Sequence, residues 1–183
     1  MSLAIIVCAM VAACTVFAKA PPQQAENCKT CHGLTGKSPN AQWPNLAGQN
    51  KAYLVIQLKA FRDGKRENPA MTPYVADLTD EDIETLAEYY ASRQRDIEAD
   101  GDAELVETGR QLSASCTACH GQDGKPVANE WPIIAGQYAA YLEQQLKAYK
   151  KGERIHPAMQ AAIANFDEKD FAALAAYYSQ LEP

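Results

Sequence analysis

Cys28-Lys29-Thr30-Cys31-His32 opens a stretch that continues through Trp43-Pro44 and Ala47-Gly48-Gln49 to Pro69-Ala70-Met71. The same stretch returns 88 residues later as Cys116-Thr117-Ala118-Cys119-His120, Trp131-Pro132, Ala135-Gly136-Gln137 and Pro157-Ala158-Met159. Between 28–90 and 116–178 the register holds without a gap, and 29 of 63 positions are identical. Two copies at so long a period make a tandem pair of domains rather than a solenoid. The charged stretch Arg93 to Ala103, with Asp100-Gly101-Asp102, holds the join. The predicted division is 21–95 for the first domain, 96–103 for the linker and 104–183 for the second.

Each copy reads as helical. Leu54, Leu58 and Phe61, matched by Leu142, Leu146 and Tyr149, mark a middle helix by their i, i+4, i+7 spacing. Ile83, Leu86, Ala87 and Tyr90, matched by Phe171, Leu174, Ala175 and Tyr178, mark a final one. Thr79 with Asp82 and Asp167 with Asp170 are start signals for those final helices. Leu105, Gly109 and Leu112 predict a helix ahead of the second motif. The equivalent stretch before the first motif carries Pro21-Pro22, so its leading helix must be shorter or begin in the apolar N-terminal segment. No segment alternates like a strand, and the predicted class is all-α.

Cys-x-x-Cys-His is the attachment pattern of c-type haem. The two thiols, Cys28 and Cys31 or Cys116 and Cys119, each form a thioether to one vinyl group of the porphyrin. The adjacent histidine, His32 or His120, then stands as an axial ligand of the iron. Two motifs predict two covalently bound haem c groups. Beyond the N-terminal segment the only methionines are Met71 and Met159, each 39 residues after its motif histidine in a Pro-Ala-Met loop. A thioether in the second axial position favours Fe(II) and raises the reduction potential. The expected ligand pairs are therefore His32/Met71 and His120/Met159. Core filling is the ordinary role of a methionine, and the repeated loop position argues against it here.

Other readings of the same residues are weaker. Cys-x-x-Cys pairs that share a zinc ion usually stand a short loop apart, whereas here each pair lies in its own repeat with its own histidine. A thioredoxin-like pair needs a βαβ context that is missing. His156, with Asn68 as its repeat partner, is either a second candidate ligand near Met159 or an exposed loop histidine. Lys59, Arg62, Lys65 and Arg66, then Lys147, Lys150, Lys151 and Arg154, form either docking clusters or solvated helix faces. Trp43 and Trp131 pack against haem or donate to a propionate, and the pairs Tyr89-Tyr90 and Tyr177-Tyr178 read as core.

The 183 residues carry a formal net charge of −6, which leaves no basic excess for nucleic acid. Leu3 to Phe17 is short and almost wholly apolar, and 1–20 reads as a secretory signal, with a break after Ala18, or as an N-terminal anchor. Val11-Ala12-Ala13-Cys14 also resembles a lipobox that would leave Cys14 lipidated. Export is expected, with membrane attachment through this segment as the variant.

With both haem motifs, both Pro-Ala-Met loops and the tandem register in hand, the chain resembles the dihaem cytochrome c4 family over about residues 25 to 182. The resemblance implies two class I cytochrome c domains about a pseudo-twofold axis with their haems close together. It also implies a periplasmic electron carrier between a quinol-oxidising complex or other donor and a terminal oxidase or other acceptor. It carries ligand roles onto Cys28, Cys31, His32, Met71, Cys116, Cys119, His120 and Met159. On this reading the protein is no enzyme. The rivals are the dihaem subunit of a larger dehydrogenase of flavocytochrome type, and a dihaem peroxidase or thiosulfate-oxidising enzyme with one iron open.

Overall fold

Apolar residues at helical spacing bury one stripe each, and the stripes of each half close over a small core. The computed structural model describes residues 20–96, 98 and 100–183. The first half runs α1 (Ala25–His32), α2 (Lys51–Arg62), α3 (Thr72–Val75) and α4 (Asp80–Ala91). The second half opens with a 3-10 turn at Ala103–Leu105, then α5 (Val106–Leu112), a second 3-10 turn at Ser113–Ser115 and α6 (Thr117–His120). It closes with α7 (Ala139–Lys151), α8 (Pro157–Ala162) and α9 (Glu168–Ser179). No strand occurs among the described residues. The signal, lipobox and anchor readings fall on residues outside those described, Cys8 and Cys14 included.

The final helix of each half starts where its capping residues stand. The Thr79 hydroxyl accepts the Asp82 N–H and the Asp82 carboxylate accepts the Thr79 N–H. Asp167 and Asp170 make the same reciprocal pair. Each box satisfies two backbone donors that the first helical turn leaves open.

In the first half, Ala25, Leu54, Leu86, Ala87, Tyr89 and Tyr90 form the core, with α2 against α4. In the second, Tyr149, Ile163 and Phe171 cluster while α7 packs on α9. Each fully buried large apolar side chain contributes about 1.5–3 kcal/mol.

The halves differ at their leading helices. In the second, α5 crosses α9 so closely that a Cβ on Gly109 would stand 2.0 Å from the Ala173 carbonyl oxygen. In the first, that position is Pro21, which is exposed, and Ala25 supplies the buried contact instead. The first motif therefore sits inside one short helix, while the second follows a longer helical run broken at Ser113–Ser115. Gly109→Val should force the α5–α9 crossing apart and cost about 3 kcal/mol or more, toward the upper end of overpacking losses. Thermal denaturation checks this, and an unchanged midpoint would show that the crossing yields freely.

Candidate functional site

Each motif histidine ends its helix, and the chain turns away at once. Gly33 and Gly121 follow at φ 71° and 74°, and a Cβ there would meet the carbonyl oxygens of Lys37 and Lys125 at 2.1 and 2.3 Å. Glycine is required at both for the backbone to fold back this tightly. The turn carries the repeated Trp-Pro segment across the imidazole. His32 Nδ1 lies 2.9 Å from the Pro44 carbonyl and His120 Nδ1 lies 3.2 Å from that of Pro132. A carbonyl only accepts, so Nδ1 carries the proton and Nε2 keeps its lone pair. Burial pushes both imidazoles below their usual pKa, with the proline contacts working weakly against it, so both stay neutral.

The four motif cysteines are each half-buried, and none is paired in a disulfide. Burial pushes the Cys28 and Cys116 thiols above their ordinary pKa. Tyr90 stands against Cys28 and Tyr178 against Cys116, and neither buried hydroxyl reaches hydrogen-bond geometry.

A continuous cavity of about 610 Å³ takes walls from both halves. Cys28, Cys31, His32 and Met71 line it on one side, and Cys116, Cys119, His120 and Met159 on the other. Leu54, Leu58, Phe61 and their counterparts Leu142, Leu146 and Tyr149 make much of the remaining wall apolar. Paired thiols, a neutral imidazole with a free lone pair, a thioether and apolar walls fit a flat iron macrocycle in each crevice. Among the described residues no group of three or more His, Cys, Asp or Glu stands together as a metal cage.

Met71 lies at the N-terminal end of α3 and Met159 within α8, both half-buried. His156 is exposed and caps α8, its Nδ1 accepting the Met159 N–H at 3.4 Å. Its ring stands edge-on to Trp131 at 5.6 Å, and Trp131 in turn stands edge-on to His120 at 6.1 Å. Tyr89 and Tyr90 pack edge to face at 5.0 Å in the core, in keeping with their expected role.

The halves meet through reciprocal contacts, which define a pseudo-twofold axis. Gln137 brackets the Asn45 backbone, its Oε1 accepting from N–H at 2.9 Å and its Nε2 donating to the carbonyl at 3.0 Å. Gln49 brackets Ile133 in the same way, at 2.8 Å for both bonds. Around the cavity, Arg66 donates to Gln57 of its own half and to Gln145 and Tyr141 of the other, at 2.7, 2.8 and 3.3 Å. Arg154 mirrors it, donating to Gln145, Tyr53 and Gln57 at 2.9, 2.9 and 3.0 Å. Arg154 is buried and Arg66 half-buried, and neither has a carboxylate partner among the described residues.

The two basic clusters are therefore not uniform surfaces. Arg66 and Arg154 turn into the interface, Lys59 and Arg62 pair with Asp80, and Lys147 pairs with Glu143 and Glu168. Sequence reading placed both arginines among the surface cations. It noted Gln49 and Gln137 only as repeat identities. Their identity in both halves was the available signal.

The cytochrome c family profile matches residues 16–94 and again 106–182. A cytochrome c4 of Pseudomonas aeruginosa is 34% identical over 178 residues, covering 90% of this chain and 88% of that one. The chain belongs to the cytochrome c4 family. The crystal structure of reduced cytochrome c4 from Pseudomonas stutzeri superposes with a TM-score of 0.81 at 30% identity, covering 90% of this chain and 100% of that one. A thiosulfate dehydrogenase electron acceptor of Thiomonas intermedia is 34% identical over 154 residues, covering 75% of this chain and 69% of that one. As a cytochrome c4 relative with two domains and two attachment motifs, the chain carries two covalently bound haem c groups. It is an electron-transfer protein rather than an enzyme. Among the described residues no helix is long and apolar enough to cross a membrane.

Proposed function

We propose that this chain is an exported two-haem relay, in which His32 and Met71 hold one iron and His120 and Met159 the other. The observation that carries this is the cavity in which each neutral imidazole shares walls with the methionine of its own half. The haem supplies a one-electron Fe(III)/Fe(II) couple when bound. Cys28 and Cys31, and Cys116 and Cys119, tether it. The Pro44 and Pro132 carbonyls fix the imidazole tautomer, and the Met71 and Met159 thioethers favour the reduced state. Arg66 and Arg154 offer their charge to the carboxylates that haem brings, since no carboxylate of the described chain meets them. With a histidine and a methionine holding each iron, no coordination site would remain for a substrate.

The periplasm is the proposed compartment, since covalent haem attachment needs the 1–20 segment to act as an export signal. Membrane attachment through that segment is the variant of this reading. The electron donor and acceptor are redox proteins, with a quinol-oxidising complex and a terminal oxidase as the leading pair. Likeness to a thiosulfate dehydrogenase electron acceptor supports a second donor class, an enzyme that oxidises a sulfur oxyanion.

An optical redox titration with added carbon monoxide and peroxide tests the relay. Two high-potential components that bind neither ligand are expected. A component that binds carbon monoxide as isolated would mean one iron is open, and would return the peroxidase reading.

A further inference from the structure

We infer that Gln137 sets the reduction potential of the haem in the first half, and Gln49 that of the haem in the second, each acting across the domain interface. The peptide that supports each axial histidine is held at both ends. In the first half it is the Pro44–Asn45 peptide, whose carbonyl accepts a hydrogen bond from His32 Nδ1–H and whose N–H donates to Oε1 of Gln137. In the second it is the Pro132–Ile133 peptide, between His120 and Oε1 of Gln49. Each chain of bonds therefore runs from an imidazole through one amide group to a side chain of the opposite half.

Both glutamines are buried, at 5% and 4% exposure. A buried amide left unpaired costs about 1–3 kcal/mol, so these side chains stay in place only because their partners are complete. Oε1 of Gln49 also accepts the Asn50 N–H at 2.9 Å, and that of Gln137 the Tyr138 N–H at 3.1 Å. A purely packing contact would be made as well by leucine. The amide does what leucine does not, which is to polarise the peptide it clasps.

An amide whose N–H is engaged by an acceptor has a more electron-rich carbonyl, because hydrogen bonds in a chain strengthen one another. That carbonyl draws harder on the Nδ1 proton, and the imidazole becomes a stronger donor at Nε2. A stronger donor stabilises Fe(III) over Fe(II) and lowers the potential. Gln137 and Gln49 are thus positioning residues with crossed effects. They make the potential of each haem depend on the docking of the other half.

This rests on His32 and His120 being iron ligands, as proposed above. The test is a redox titration of the complete two-haem protein carrying Gln137→Leu or Gln49→Leu, with each haem followed by its own NMR signals. Gln137→Leu should raise the potential of the first haem and leave the second unchanged, and Gln49→Leu should do the reverse. In the sharing of one electron between the haems this reads as about a two- to ten-fold change, in opposite directions for the two variants. Gln137→Asn keeps an amide but ends one methylene short, and should act with the same sign where the leucine variant does not fold. Both potentials moving together, a shift in the haem of the substituted half, or no shift at all would overturn the clasp. Absence of hyperfine-shifted imidazole ring signals from His32 or His120 in the unsubstituted protein would instead remove the ligand assignment, and the clasp with it.

Discussion

Met71→His lowers the reduction potential of the first haem by the largest amount of any single substitution in this chain and leaves the second haem close to its original value. A thioether is a poor σ-donor that stabilises Fe(II), while a second imidazole favours Fe(III). Axial ligands set haem potentials over a range of roughly 0.8 V, and the expected fall is on the order of a quarter of that. The two crevices share one cavity, yet Met71 and Met159 belong to opposite walls, so the electronic change stays local. Met159→His should mirror the result on the second haem. Its loop has one difference, since His156 caps α8 through the Met159 N–H where the first half has Asn68. Potentiometry with visible spectroscopy reads both variants through loss of the methionine-ligand absorption band. An unmoved first potential in Met71→His would show that Met71 is not bound to iron.

What could be read from the sequence was local or repeated. The 88-residue register made the tandem division visible, and helical spacing marked α2, α4, α7 and α9 because each buries one stripe in its own half. The capping residues Thr79 and Asp167 were legible because a cap depends on a neighbour three residues away. The motif cysteines and histidines stood out because covalent haem attachment demands those residues at that spacing.

The interface was not legible, and the reason is physical. A glutamine or arginine on an amphipathic helix looks the same whether water or another domain faces it. Arg66 stands among Lys59, Arg62 and Lys65, and nothing in one dimension separates the residue that turns inward from those that pair with Asp80 or face solvent. Its burial is decided by Tyr141 and Gln145, 75 and 79 residues away. Pro44 and Pro132 were visible as repeat identities, but a carbonyl's role beside an imidazole leaves no trace in residue type.

The arginine ring supplies the second large effect. Arg154→Met removes one guanidinium but leaves the Oε1 atoms of Gln57 and Gln145 with a donor each, because Arg66 bonds both. Only the Tyr53 hydroxyl loses its arginine outright. The single variant should therefore cost about 1–3 kcal/mol of stability. Arg66→Met with Arg154→Met strands both glutamine oxygens at once, so the pair should cost more than the sum of the two single losses. The redox signature has a definite sign. A buried positive charge favours the reduced iron, so removing it lowers the potential. Both arginines bond both halves, so each single variant should lower both haems together, by a few tens of millivolts for an interaction on the order of 1 kcal/mol at an effective dielectric of about 20. Burial of Arg154 shields the effect from salt, and the shift should persist at high ionic strength, unlike that of an exposed lysine such as Lys65. Thermal denaturation and potentiometry on the single and double variants measure both consequences. Additive stability losses, or a shift confined to one haem, would mean that each arginine serves its own half alone.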